Sequence, residues 1–155
     1  MRSRVAKWVI GAFVATIVPL AACSADIHDN AVNINATVSI MSSIDLKNVQ
    51  PGEAMPVHVA VSNVYLVEPN VTPPPEHVSD AAYLQFYLDS TDSQPILVTA
   101  QVDVTVTIPA SEPDGDHKLL CRVHKHDGTP TTSVSEIDFT VHASVTINPM
   151  DGGAG

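Results

Sequence analysis

The sequence predicts an all-β domain, an immunoglobulin-like β-sandwich of six to seven strands that follows a signal peptide. Apolar and polar residues alternate with a period of two in several segments, which is typical of strands with one face in a core. Turn-forming Pro, Gly and Asp residues separate these segments, and no amphipathic helical pattern follows the N-terminal apolar stretch. A small β-barrel is the alternative architecture.

The N-terminal residues 1–22 have the pattern of a bacterial signal peptide. Basic residues open the chain, and the apolar run that begins at Trp8 is too short to span a bilayer. The run ends in Leu20-Ala21-Ala22-Cys23, which resembles the lipobox of bacterial lipoproteins, where the cysteine is acylated and becomes the first mature residue. An ordinary signal peptide cleaved nearby is the alternative. The resemblance implies a lipidated Cys23, and Ser24 behind it favours the outer membrane over the inner membrane.

The chain is strongly acidic, with a formal net charge of −10. Three of its seven basic residues precede Cys23, so the chain from Cys23 onward has 4 basic and 17 acidic residues, a net charge of −13. This charge argues against a nucleic-acid partner, because phosphate binding needs clustered Lys and Arg. It is consistent with a soluble domain, and it would also suit a surface that binds cations.

The predicted domain occupies residues 36–147, after a lipidated tether at 23–35 and before a flexible tail at 148–155. The predicted strands cover Ala36–Leu46, Met55–Val67, Ala81–Asp89, Ile96–Ala100, Val102–Ile108, the middle of Asp114–Gly128, and Val134–Ile147. Four prolines lie between Glu68 and Ser79 and predict a stiff, extended surface loop without a helix.

The segment Asp114–Gly128 concentrates the candidate functional residues, since it holds three of the seven histidines and Cys121. Cys121 lies in an apolar strand pattern, which predicts a buried structural thiol. A metal thiolate or an intermolecular bridge is the alternative. His117 falls near the position of the corner tyrosine of these sandwiches, which favours a structurally satisfied histidine over a ligand.

His124 and His126 are the candidate metal ligands. One residue separates them, so in a regular strand both imidazoles point to the same face, about 6.5–7 Å apart along the chain. Asp127, or His77 from the proline loop, is the candidate third ligand, because Cys121 faces the opposite way unless a bulge intervenes. Zn(II) and Cu(II) accept such a mixture of imidazole and carboxylate. The alternative is a polar strand end in solvent.

The second half of the chain carries motifs that recur in one family. They are Asp114-Gly115-Asp116-His117-Lys118-Leu119, His124, Asp127–Pro130 and Ser135-Glu136-Ile137-Asp138-Phe139-Thr140-Val141. This pattern resembles a group of small exported bacterial domains of unknown function. Tyr83–Asp89 resembles their His-rich strand ending in Asp, although Ala82, Tyr83 and Gln85 stand where that family has consecutive histidines. The resemblance implies an exported β-sandwich and assigns no activity.

Motifs for catalysis are absent from the sequence, which has no Gly-x-Ser-x-Gly, no His-Glu-x-x-His and no Gly-rich phosphate loop. The sequence therefore predicts a cell-envelope lipoprotein, not an enzyme, that acts as a binding or interaction module for a protein or envelope partner. A metal-binding protein of the periplasm or surface, using the histidine cluster with Zn or Cu, is the alternative function. An exported enzyme is a third, since acid–base pairs can assemble from residues distant in sequence.

Overall fold

The computed structural model describes residues 32–142, which form eight strands and one short 3₁₀ helix. The elements are β1 Thr37–Ser42, β2 Ala54–Ser62, β3 Tyr65–Leu66, the 3₁₀ helix Pro75–His77, β4 Ala81–Leu88, β5 Leu97–Thr99, β6 Asp103–Thr107, β7 Gly115–Lys125 and β8 Pro130–Val141. No helix in this part of the chain has the length and apolar character needed to cross a membrane. The predicted signal peptide, Cys23 and the predicted tail 148–155 lie outside the described residues.

The strands form two sheets. The smaller sheet has the order β1-β2-β6, and the larger sheet has the order β3-β4-β7-β8 with β5 also paired to β4. All pairings are antiparallel except that of β3 with β4. The chain passes from the smaller sheet to the larger one after β2 and again after β6, as in a Greek-key sandwich. The predicted immunoglobulin-like β-sandwich is therefore confirmed, although the described residues form eight strands where six to seven were predicted.

The core lies between the two sheets and is built from alternate residues of the strands. Val57 and Val59 of β2 point inward, and Leu84 and Phe86 of β4 meet them from the larger sheet. Each such side chain contributes about 1.5–3 kcal/mol when it is fully buried. Cys121 of β7 lies in the same core as a free, fully buried thiol, which confirms the structural reading of this cysteine.

The predicted long strand Met55–Val67 is interrupted, because β2 ends at Ser62. Asn63 has a φ of 63°, in the left-handed region that asparagine tolerates better than most residues. Beyond this residue the chain leaves the smaller sheet, and Tyr65 and Leu66 pair in parallel with the start of β4. The prediction of one continuous strand was wrong, because the alternation of apolar and polar residues continues across the point where the chain changes sheets.

The proline loop contains a helical turn that the sequence analysis excluded. Pro75–His77 form a 3₁₀ helix, in which His77 N donates to Pro74 O at 2.9 Å. Proline fits the first position of a helical turn, where its missing N–H would have no intrahelical partner. The prolines therefore exclude a long helix here, but they permit this single turn.

Candidate functional site

The structure separates the predicted metal ligands. β7 ends at Lys125, so His126 and Asp127 lie in the turn that follows it and not in a strand beside His124. His126 Nε2 lies 2.8 Å from the carbonyl oxygen of Val71 in the proline loop. The period-two argument for His124 and His126 required a strand that continued past Lys125, and the chain turns there instead.

His124 and His77 have other neighbours. His124 is buried on the outer face of the larger sheet, where its Nε2 lies 3.0 Å from the Tyr87 hydroxyl. His77 stacks on Tyr65 with 3.9 Å between the ring centroids. Within residues 32–142, no three of the four predicted ligands have ligand atoms within 4.8 Å of one another. The structure therefore gives no geometric support to a metal site built on His124 and His126.

A compact cluster of Asp89, Glu112 and His117 lies near the other end of β7. His117 Nδ1 is 2.9 Å from Asp89 Oδ2 and 3.3 Å from Glu112 Oε1. His117 Nε2 is 3.0 Å from the carbonyl oxygen of Pro113. In the described part of the chain, this is the one group of three His, Cys, Asp or Glu residues whose ligand atoms all lie within 4.8 Å.

Backbone hydrogen bonds fix the two acidic members of this cluster. Asp89 directly follows β4 with a φ of 62°, which aspartate adopts more readily than most residues. Its N–H donates to Lys118 O at 2.8 Å, and its Oδ1 accepts from Lys118 N at 2.8 Å. Glu112 lies in the turn before β7, where its N–H donates to Pro109 O at 3.0 Å. The end of β4 and the start of β7 thus hold both carboxylates beside one imidazole.

The imidazole of His117 is only 8% exposed, whereas the Asp89 side chain is 50% exposed. Burial by itself would lower the pKa of His117. The hydrogen bonds to Asp89 and to the Pro113 carbonyl, with the charges of Asp89 and Glu112, outweigh burial and hold this pKa above its ordinary value. Asp89 and His117 also line an open depression of about 760 Å³. Solvent and small ions therefore have access to the cluster from the Asp89 side.

The bond from His117 to Pro113 matches the corner arrangement predicted for this position, in which a side chain returns to upstream backbone. The predicted contact of His117 with upstream backbone is therefore present. Sequence reasoning missed Asp89 and Glu112, because both lie in turns whose approach to His117 depends on the fold. The sequence did offer one indication of Asp89. It ends the segment Tyr83–Asp89, and the corresponding strand of the family that the chain resembles also ends in Asp.

The outer face of the larger sheet carries a second candidate site. Its register aligns Val98, Gln85, Arg122 and Val134 in one row across β5, β4, β7 and β8. In the adjoining row, Tyr87 lies opposite Leu120. We use the name aromatic face for this surface, and its apolar members are Tyr83, Tyr87, Ile96, Val98, Leu120 and Val134.

Aromatic side chains form the centre of the aromatic face, and aliphatic side chains flank them. Tyr87 is only 4% exposed although it points away from the core, and its hydroxyl bonds to Gln85 and His124. At the two sides of the sheet, Val98 is 39% exposed and Val134 is 37% exposed. The hydrogen bonds hold the buried central rings in place, and the exposed apolar area of this face lies at its flanks.

No family model and no curated protein sequence matches the chain. Solved structures with a related fold include the fibronectin(III)-like modules of Clostridium thermocellum CbhA, at 12% identity and a TM-score of 0.42, covering 70% of this chain and 99% of that chain. They also include the PKD domain of human KIAA0319, at 14% identity and a TM-score of 0.36, covering 83% of this chain and 98% of that chain. Neither similarity carries information on function.

Proposed function

We propose that this chain is an exported lipoprotein of the bacterial cell envelope, and that its sandwich is a non-catalytic module that binds a protein partner through the aromatic face. The observation that carries the proposal is the set of apolar side chains on the outer face of the larger sheet, where Val98 and Val134 are exposed on either side of the buried rings of Tyr83 and Tyr87. On the smaller sheet, the outward residues of β6 are Asp103, Thr105 and Thr107, and all three are exposed. Met41 of β1 adds one exposed apolar side chain to that smaller sheet.

These apolar side chains support a partner because an antiparallel sheet that faces only water is normally polar on its outer side. The aromatic face contains two tyrosines and Arg122, residue types that are enriched in interface cores, and Glu136 lies beside Leu120 at its rim. Arg122 lies in its central row, and within that row it has Gln85 and Val134 as register partners. The partner that fits is a protein surface with an apolar patch, because aliphatic side chains can cover the exposed Val98 and Val134 and displace water from them.

Site-specific photo-crosslinking from Val98 tests this surface in the native envelope. We expect a crosslinker at Val98 to capture one protein partner, and an added excess of the purified domain to suppress the adduct. A competitor with Val98→Glu and Val134→Glu should need at least about ten times the concentration, because a carboxylate would be desolvated at the interface.

The matched control is a crosslinker at Val78, which is 64% exposed but lies outside the sheets, after the 3₁₀ helix. We expect no specific adduct from this position. Equal adducts from Val78 and Val98, or competition by the charged domain that is as strong as by wild type, would contradict the proposed surface.

The lipid anchor is tested separately with Cys23→Ser. We expect this variant to leave the membrane fraction and to take up no labelled lipid, because serine cannot form the thioether that holds the acyl group. Buried acyl chains contribute roughly 0.8 kcal/mol per methylene, so the loss should be nearly complete. Cys121→Ser is the control and should remain acylated. A Cys23→Ser protein with unchanged membrane association and mobility shows that the anchor lies elsewhere.

A further inference from the structure

We propose that Asp89, Glu112 and His117 together bind one divalent first-row metal ion of the Zn(II) type. The site lies near the start of β7 and shares no residue with the aromatic face. A test of this metal site therefore does not decide the proposed protein-binding function. It also differs in every residue from the ligand set that the sequence predicted.

Three ligand atoms converge at this cluster. His117 Nδ1 faces carboxylate oxygens of both Asp89 and Glu112, at 2.9 Å and 3.3 Å. The other ring nitrogen, Nε2, contacts the Pro113 carbonyl oxygen at 3.0 Å, which directs Nδ1 toward the two carboxylates. All three ligand atoms lie within 4.8 Å of one another, so a single cation could contact all of them.

The spacing of the ligand atoms also suits one ion. Ligands about 2.0–2.1 Å from one tetrahedral ion are about 3.3 Å from each other. His117 Nδ1 and Glu112 Oε1 are separated by 3.3 Å, which is long for a charge-assisted hydrogen bond but suits two ligands of one ion. The 2.9 Å separation of Nδ1 from Asp89 Oδ2 needs to widen by only a few tenths of an ångström on metal binding.

The residues around the cluster already orient the ligand atoms. Lys118 N occupies Asp89 Oδ1, which leaves Oδ2 for the ion, and the Pro113 carbonyl holds the ring as the outer partners of metal-bound histidines do. The two carboxylates together can balance the charge of one divalent ion. The exposed side of Asp89 leaves room for a water molecule as the fourth ligand.

One imidazole with two carboxylates favours a borderline ion, since Zn(II) accepts both ligand types. The direct test is calorimetric titration of the full chain, purified in detergent, with Zn(II) alone. We expect one equivalent to bind with a dissociation constant in the micromolar range or below. Glu112→Gln and Asp89→Asn keep the shape of each side chain but remove a charge, and each should weaken binding by at least about tenfold.

Two controls separate this site from other histidines of the chain. His58 forms an exposed pair with Asp103, and His126 was predicted as a ligand from sequence. His58→Ala and His126→Ala should both bind Zn(II) as wild type does. Binding that is lost in either control, or that is unchanged in Glu112→Gln, overturns the assignment. Wild-type binding no tighter than millimolar overturns it too and leaves the cluster with a structural role only.

X-ray absorption of the zinc-loaded wild type gives a readout that does not depend on the folding of any variant. We expect one imidazole and a shell of oxygen ligands at roughly 2.0–2.1 Å. A sulfur ligand at about 2.3 Å, or two or more imidazoles, would place the ion elsewhere and overturn the proposal. Zn(II) should also raise the melting temperature of wild type but not that of Glu112→Gln, because the ion binds only the folded protein.

Discussion

Leu119→Asp is expected to abolish folding of the domain. Leu119 is fully buried in β7, where its register partners are Leu88 on β4 and Ile137 on β8. An aspartate there would have to bury a charge without a partner, which costs several kcal/mol. A domain of this size has a total stability of only about 5–15 kcal/mol, so the variant should lose most of its folded population.

Circular dichroism and urea unfolding measure this effect. Val98→Asp is the matched control, because it places the same charge on a half-exposed position of β5 and should change stability by no more than about 0.5 kcal/mol. A Leu119→Asp protein with a wild-type urea midpoint would show that the inward and outward faces of β7 have been exchanged.

Cys121 is expected to react with thiol reagents at least about a thousand times more slowly than an exposed cysteine at neutral pH. Its side chain is fully buried in the core, and this burial raises the pKa of the thiol from 9.0 to about 12. The thiolate is the reactive form, and three pKa units reduce its population about a thousandfold. Because reagents also have no access to the core, labelling should follow the opening of the domain.

The Cys23→Ser variant isolates this measurement, because the chain has only two cysteines. Adding Val98→Cys to the same variant supplies an exposed thiol as the reference for fast labelling. In urea, Cys121 itself should label at the rate of an ordinary thiol. Labelling of folded Cys121 at a rate close to that of Val98→Cys would contradict its placement in the core.

Most of the strands could be predicted from sequence because a sheet with one buried face imposes a period of two. The run from Val102 to Ile108 shows this, since Val106 and Ile108 are buried and Thr105 and Thr107 are exposed. The same period gives no information on which of the two sheets a strand belongs to. The change of sheet near Asn63 was missed for this reason.

The candidate sites were harder to predict than the strands, because ligand geometry depends on turns. His124 and His126 were expected on one face because residues i and i+2 of a strand point the same way. This holds only inside a strand, and β7 ends between them. Asp89 and His117 are 28 positions apart in the chain, and they meet because β4 and β7 pair along their length. Aromatic residues on β4 were visible in sequence, but their role on an outer face depends on which side the core occupies.

The pairing of Val32 with Thr131 brings the chain into the sandwich beside the start of β8, at the same end as Lys125. His117 lies about 26 Å from that end along β7, at roughly 3.3 Å per residue. The residues between Cys23 and Val32 can extend at most about 30 Å. The carboxylate–histidine cluster therefore lies at the opposite end of β7 from the point where the chain enters the sandwich. For a chain acylated at Cys23, the segment that leads to the lipid would join the sandwich at one end, and the cluster would lie at the other.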